Sequence, residues 1–441
     1  MQNDNEKEFK IVVAGVGYVG LTISVCLANK GFNVICVDID KNKIERLKNG
    51  QCVIFESGIS ELLNSAIQNE TISFTCDYES AYRIADVILV CVPTPEDKNG
   101  NLNLKYLNIV MEQIAFNMKE DAYIVIKSTI PVGTCEEIQK KFGIKNIVFN
   151  PEFLSQGEAV KNFMEPQRIV IGVNDEEAQR LMERIYDKFE CPKLFMDLRT
   201  AELSKYASNN FLAVKITFIN EISNLCDKLN INVEDIISVM KLDKRIGELY
   251  MEPGIGYGGS CLPKDTNALL SLGKDVGVDL NLIEATIKSN KKQRVLLIEK
   301  LDEYYPNKEN LNVAILGLSF KDNTNDLRES QAIECIEKIY KNVKRVVAFD
   351  NKINTVEECK ILFADKENVI ISNNIETALK DADVCMIFNK EKEILELSPE
   401  CFVKNMKNPV ILDGRNCFSL ELMNYQNIKY SSIGRNVNLK I

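Results

Sequence analysis

The 441 residues contain no histidine. A Ser-His-Asp triad, a histidine general base and any metal site with an imidazole ligand are therefore excluded. Whatever chemistry the chain performs must use Cys, Lys, Asp, Glu, Thr or a bound cofactor. There is no run of about 18 or more apolar residues, and residues 1–8 lack the apolar centre of a signal peptide, so a cytoplasmic protein away from the membrane is expected. Nor is there an excess of cations. With 54 Lys and Arg against 64 Asp and Glu, the net charge of -10 argues against a general affinity for nucleic acid. The 14 cysteines include no CxxC pair and no regular spacing, which reads as reduced thiols rather than a disulfide framework.

What is present has the composition of a globular enzyme, with 45% hydrophobic and 27% charged residues. The length implies two or three domains. The most informative stretch is residues 254–265, GIGYGGSCLPKD, where four glycines deliver Cys261 to the start of a helical pattern, with Pro263 suited to its first turn. A helix N-terminus with a lysine nearby favours thiolate over thiol, and such settings lower a cysteine pKa from about 8.5 to roughly 3.5–7.5. Most of the other cysteines fit ordinary buried core positions.

Near the start, an apolar strand from Phe9 to Ala14 runs into Gly15-Val16-Gly17-Tyr18-Val19-Gly20, a helical pattern, a second strand from Asn33 to Val37, and Asp38. Strand, GxGxxG, helix and an acid at the end of the next strand form a dinucleotide-binding pattern, with the pyrophosphate at the helix N-terminus and Asp38 on the adenosine ribose. A carboxylate there repels a 2′-phosphate and favours NAD over NADP, with Lys43 close enough to soften the preference. Further βα units place Thr94, Thr129 and Glu152 just beyond strand ends, where ligands of a doubly wound sheet lie. Each alone also fits a helix cap or turn; their coincidence at one sheet edge favours a site.

From Thr200 to about Leu229 the pattern predicts a long helix without internal Gly or Pro. Apolar residues around much of its circumference (Leu203, Tyr206, Phe211, Ile219, Leu225 among them) predict burial on several sides, as a spine between domains and part of an oligomer contact. Lys205 and Asn209, four apart, share a face. The helical character is expected to continue to about Leu301. The last third repeats the first, with a strand into Gly317-Leu318-Ser319-Phe320-Lys321, another ending in Asp350, and Ala382 to Phe388 echoing Ala85 to Cys91. Its glycine loop is incomplete, which suggests a different nucleotide. Arg328 and Arg415 fall near strand ends, where they could grip phosphates or form exposed ion pairs.

Taken together, GVGYVG, KSTIPVG, NPEFL, AELSKYASNNFLAVK, GIGYGGSCLPKD, GLSFKDNTNDLRES and LDGRN resemble the UDP-glucose/GDP-mannose dehydrogenase family, in order from about residue 9 to residue 435. The resemblance implies an α/β chain in which two Rossmann-type doubly wound domains (1–199, NAD; 302–441, UDP) are joined by a helical central domain (200–301) that carries the spine helix, the cysteine loop and a homodimer contact. It implies oxidation of C6 of UDP-glucose to a carboxylate with two NAD, feeding polysaccharide biosynthesis. By motif, Gly15, Val16, Gly17, Tyr18, Val19, Gly20, Asp38, Lys43, Thr94, Thr129, Lys264 and Arg328 would line the NAD site. Glu152, Phe153, Leu154, Ser155, Gln156, Lys205, Asn209, Arg245, Tyr250, Gly258, Phe320, Lys321 and Arg415 would contact the sugar nucleotide.

In such enzymes the cysteine matching Cys261 is the nucleophile. It adds to the aldehyde left by the first oxidation and holds it through a thiohemiacetal and then a thioester. Lys205 and Asn209 would stabilise the oxyanions, Asp265 with Thr129 and a water would accept the alcohol proton, and Glu152 would direct the hydrolytic water. One position departs from the family pattern. Gln156 stands where a second acid is common, and it can position a water but not take its proton. Two alternatives stay open: a dehydrogenase for a UDP-N-acetylaminosugar or GDP-mannose, and a noncatalytic sensor of NAD and a nucleotide sugar. The joint presence of Cys261, Lys205, Asn209 and Asp265 distinguishes an enzyme from a sensor.

Overall fold

The computed structural model describes residues 9–98, 100–425 and 427–435; the polar stretch 1–8 read from the sequence lies outside them. The chain divides into two compact units, residues 1–208 and 209–441. The expected boundary near residue 200 falls close to the start of one continuous helix, Leu198–Leu229, which extends through the division.

The first unit is built on a sheet of short, β-branched strands: β1 (Lys10–Ala14), β2 (Asn33–Val37), β3 (Ile72–Thr75) and β4 (Val87–Val90), then β5 (Tyr123–Ile126), β6 (Ile147–Phe149), β7 (Ile169–Gly172) and β8 (Lys193–Met196). Their order is β3-β2-β1-β4-β5-β6-β7-β8, parallel except between β6 and β7. The central strands carry helices on both faces. Their residues are accordingly apolar without alternation, and β4 and β5 are buried at every position. The order reverses between β1 and β4, which opens a crevice at their carboxyl ends.

The second unit holds a parallel sheet of β9 (Asn312–Leu316), β10 (Arg345–Phe349), β11 (Val369–Ser372), β12 (Val384–Ile387), β13 (Val410–Asp413) and β14 (Lys429–Ser431). Its order, β11-β10-β9-β12-β13-β14, repeats the first sheet's plan. Ahead of it come helices Val233–Lys241, Leu262–Asp275, Asn281–Gln293 and Leu296–Tyr304. The helical stretch expected up to Leu301 is interrupted over 242–261, where glycines and a proline replace the periodic pattern.

The spine helix matches its predicted span to within two residues and is buried over part of its circumference. Tyr206 and Ile219 are buried, whereas Leu203, Phe211, Phe218 and Leu225 are 44%, 64%, 48% and 53% exposed. Positions 211, 218 and 225 are seven apart and lie on one stripe. Among the described residues, no helix is long and apolar enough to cross a membrane.

Candidate active site

The loop after β1 turns because Gly15 takes φ +92, a conformation that costs glycine little, with a Cβ there 3.0 Å from the Cys91 carbonyl oxygen. Gly20 has no room for a side chain, since its Cβ would sit 1.9 Å from the Gly15 oxygen, so the helix can pack close on the strand. Gly17 differs from both. Nothing lies within 4 Å of where its Cβ would be, and it starts the helix Tyr18–Asn29 with no side-chain cap. Open space above uncapped helix amides is a cradle for an anion, as the pyrophosphate of a dinucleotide requires.

Asp38, at the end of β2, accepts from the Val16 amide at 2.9 Å and the Asp40 amide at 3.0 Å, which fixes its carboxylate beside this cradle. Lys43 donates to the same carboxylate at 3.1 Å, so its charge is engaged with Asp38. At the end of β4, the Thr94 hydroxyl donates to the Thr129 carbonyl at 2.8 Å, tying the β4 and β5 loops together.

Lys205 and Glu152 form a buried pair in the same unit. The ammonium donates to Glu152 Oε1 at 3.0 Å and to the Glu152 carbonyl at 2.5 Å, while the Leu154 amide donates to Oε2 at 2.6 Å. Burial alone would raise the Glu152 carboxyl, but Lys205, the Leu154 amide and Lys127 outweigh it and hold it below the ordinary range. Phe153 lies under two cations, with the Arg168 guanidinium 4.1 Å and the Lys205 ammonium 5.1 Å from its ring centre. The Ser155 amide is held by Asn162 at 2.9 Å.

The sequence gives no role to Lys127, yet it is buried beneath this loop and donates to the Asn150 carbonyl and side-chain oxygens at 2.9 and 2.8 Å. Burial lowers its pKa to about 8. Lys127 lies in the KSTIPVG motif, but only the fold reveals its partner 23 residues on.

In the second unit, Cys261 is the N-cap of the 14-residue helix Leu262–Asp275, with Pro263 in the first turn, as the sequence suggests. It is the one exposed cysteine among those described. Burial pushes thiols such as Cys36 and Cys91 up to about 12. Two sources of positive potential face Cys261 instead, the helix N-terminus and Arg328, whose own pKa is raised chiefly by Asp326 and in part by Cys261.

The preceding loop is fixed from several sides. Asn220 accepts from the Gly254 amide at 2.8 Å, Asn290 accepts from the Tyr257 amide at 2.8 Å, and Gln293 and Gln331 donate to the Gly254 and Gly256 carbonyls at 2.6 and 2.9 Å. Four buried side chains anchor the loop and make the thiol's position a property of the core. One helical turn into the same helix, Asp265 is fully buried. Its Oδ2 accepts from Asn209 at 2.6 Å, its Oδ1 from Lys264, and its carbonyl from Asn210 at 3.0 Å.

The remaining expected residues are engaged within the protein. Lys264, expected at the cofactor, is paired with Asp265. Arg245 is 90% exposed and forks onto Asp243 two residues away. Tyr250 has a left-handed backbone at φ +62 in the same loop. Gly258 is crowded by its own unit, since a Cβ there would meet the Glu329 carbonyl at 2.2 Å. The Phe320 ring stacks on Gly259, with the Lys321 ammonium 5.9 Å from the ring centre. Arg415 is directed inward, donating to the Phe388 carbonyl at 2.8 Å and the Phe320 carbonyl at 3.4 Å.

The loop after β9 reproduces the turn of the first sheet but not its cradle. Asn389 fills the space beside Gly317, 2.1 Å from where a Cβ would be. Asp350, the counterpart of Asp38, is fully buried and accepts from the Leu318, Ser319 and Lys352 amides. Ser319, in the position that matches Gly17, is 1% exposed, so the open space at the first helix start is not repeated here.

Three models of one family match the chain in order: its NAD binding domain over residues 9–190, its central domain over 199–292 and its UDP binding domain over 314–420. The chain belongs to the UDP-glucose/GDP-mannose dehydrogenase family. It is an NAD-dependent nucleotide-sugar dehydrogenase. The UDP-glucose 6-dehydrogenase TuaD of Bacillus subtilis (strain 168) is 39% identical over 434 residues, covering 97% of this chain and 93% of its own. That of Rhizobium meliloti (strain 1021) is 37% identical over 439 residues, covering 97% and 99%. A UDP-glucose dehydrogenase structure from Pyrobaculum islandicum superposes with a TM-score of 0.90 at 29% identity, covering 99% of this chain and all of the other.

Proposed function

We propose that this member of the family oxidises C6 of UDP-glucose to the carboxylate of UDP-glucuronate, using two NAD and one water. The observation that carries the reading is Cys261, a thiol presented at a helix N-terminus one turn from the buried Asp265, which Asn209 and the half-buried Lys264 contact. The full-length relatives named UDP-glucose 6-dehydrogenase support the substrate. Residues 1–199 would serve the cofactor, 200–301 the chemistry and assembly, and 302–441 the UDP moiety.

Asp265, with Thr129 and a water, takes the proton of the C6 hydroxyl. NAD, which the Gly15–Gly20 loop and Asp38 would hold, would supply the hydride acceptor for each of the two oxidations. The Cys261 sulfur then forms a bond to the aldehyde carbon, and the resulting thiohemiacetal is oxidised to a thioester. Lys205 and Asn209, one turn apart on a single helix face, donate to the alkoxide and the tetrahedral oxyanions, where one such donor is worth about 2.7–4 kcal/mol. Water directed by Glu152 breaks the C–S bond, returning the thiol and releasing the acid. One alcohol, two NAD and one water give one carboxylate, two NADH and three protons. Covalent retention of the aldehyde keeps it from escaping between oxidations.

The exposed stripe of Phe211, Phe218 and Leu225 on the spine helix supports a homodimer through the central segment. We place the enzyme in the cytoplasm, where reduced thiols persist; all 14 cysteines are free.

The deciding measurement is NADH formed per UDP-glucose consumed, with UDP-N-acetylglucosamine, UDP-N-acetylmannosamine and GDP-mannose alongside. Two NADH per UDP-glucose are expected. One would mean that oxidation stops at the aldehyde, and turnover confined to another sugar nucleotide would move the substrate. Separately, Asp38→Ala is expected to weaken NAD about 10- to 100-fold, the worth of a hydrogen bond to a charged group, and to narrow the preference over NADP. Unchanged NAD affinity in an equilibrium titration would place the ribose elsewhere.

A further inference from the structure

We infer that Glu56 is a positioning residue that couples the dinucleotide loop to the substrate loop. Glu56 lies in the connection ahead of the helix Ile59–Gln68 and is 7% exposed. Its two carboxylate oxygens accept backbone amides from a segment a hundred residues on, Gly157 N at 2.8 Å and Ala159 N at 2.8 Å. The short helix Ala159–Met164 has no side-chain cap from its own N-cap, Glu158. Glu56 supplies that cap from a distant part of the chain.

A third group joins the junction. The Gly157 amide is shared with the Tyr18 hydroxyl, which accepts it at 3.0 Å. Tyr18 is the first residue of the helix that follows Gly17, so its ring moves with the cofactor cradle. Gly157 has φ +88 and ends the 152–157 loop. That loop is otherwise pinned by Lys205 at Glu152 and by Asn162 at Ser155. One amide thus joins three elements: the cofactor loop through Tyr18, the α/β connection through Glu56, and the loop that bears Glu152 and Gln156.

A capping acid needs only the helix amides. The shared donor at Gly157 has a further consequence, because any shift of Tyr18 on dinucleotide binding changes the competition between Tyr18 and Glu56 for that one N–H. The loop's preferred position then depends on cofactor occupancy, and by linkage the cofactor's affinity depends equally on what the loop holds. The assignment of this loop to the sugar nucleotide rests on the function proposed above.

The test is calorimetric titration of the full-length enzyme with NADH, alone and with saturating UDP-glucose. In the wild type, UDP-glucose is expected to tighten NADH at least about fivefold, the low end of ordinary couplings. Glu56→Gln retains one carbonyl acceptor but sets its NH2 against the second amide. It should leave NADH binding alone within about threefold while bringing the coupling down to within about twofold of unity. Tyr18→Phe removes one acceptor and leaves the helix cap in place, so it keeps the test decisive should Glu56→Gln fail to fold; it too should reduce the coupling. An absence of coupling in the wild type, or a wild-type coupling factor in the variants with only a lower Tm, would overturn the proposal.

If the wild type binds no UDP-glucose, it is the substrate assignment that fails. Hydrogen exchange then decides the junction. NADH should change protection at Gly157 and Ala159 in the wild type and not in Glu56→Gln, and equal responses in both would reject it.

Discussion

Cys261→Ala loses UDP-glucuronate formation by at least about 10³-fold while NAD binding stays within error. The expectation follows from where the sulfur sits. Cys261 belongs to the second unit, far in sequence from the Gly15–Gly20 cradle, so its removal leaves the cofactor loop intact. In the mechanism proposed above, loss of the sulfur leaves the aldehyde unheld for the second oxidation, and the residues that act as a unit lose their shared intermediate. Cys261→Ser sharpens the result, because a hydroxyl keeps the size but ionises far less readily than a thiol. The measurement is product analysis with limiting UDP-glucose. Unimpaired acid formation by the alanine variant would remove the covalent mechanism altogether.

Lys205→Met has an expected effect on both activity and stability. The Lys205–Glu152 pair is buried, at 3% and 10% side-chain exposure, and removing one partner of such a pair costs about 3–5 kcal/mol because a charge is left without compensation. In the intact protein Glu152 titrates below its unfolded value, so the stability it contributes is present above the unfolded pKa of about 4.3 and is lost as the pH falls through the folded one.

In Lys205→Met, burial is no longer offset by its main partner, and the carboxyl pKa should rise above the unfolded value. The sign then reverses. Stability from this group is greatest at low pH and declines as the pH rises through the unfolded and then the folded pKa. Denaturant midpoints of wild type and variant between pH 4 and 8 should therefore diverge with rising pH. Adding Glu152→Gln should recover most of the stability, since the unpaired charge is gone, but none of the activity. Parallel pH curves for the two proteins would show that the pair is not what holds Glu152 ionised.

Much of the fold is legible in the sequence because each strand of a doubly wound sheet is an unbroken apolar run. Tyr123–Ile126 and Arg345–Phe349 are read to the residue. The spine helix is equally plain, being 32 residues without Gly or Pro. How much of its surface this chain itself covers is not legible, because periodicity reports which residues are apolar, not whether the covering surface belongs to the same chain.

The residues to which the proposed function gives chemical roles stand out through their local patterns. Cys261 announces itself by glycines before it and proline after it, and Asp38 by its place at a strand end. The supporting groups do not. Glu56, Lys127 and the Asn290 amide act on backbone atoms 101, 23 and 33 residues away, and no local pattern marks a side chain whose partner is a distant main-chain group.

The amide of Asn389 lying in the space beside Gly317 bears on how the two halves of the chain are kept distinct. The two sheets share one plan, and a duplicated plan ordinarily invites cross-occupancy, with either ligand able to lodge in either half. Here the turn of the second half is bordered by a side chain of its own core, where that of the first is bordered by the Cys91 main chain. The two halves are therefore told apart by what borders the turn, and not by the order of their strands.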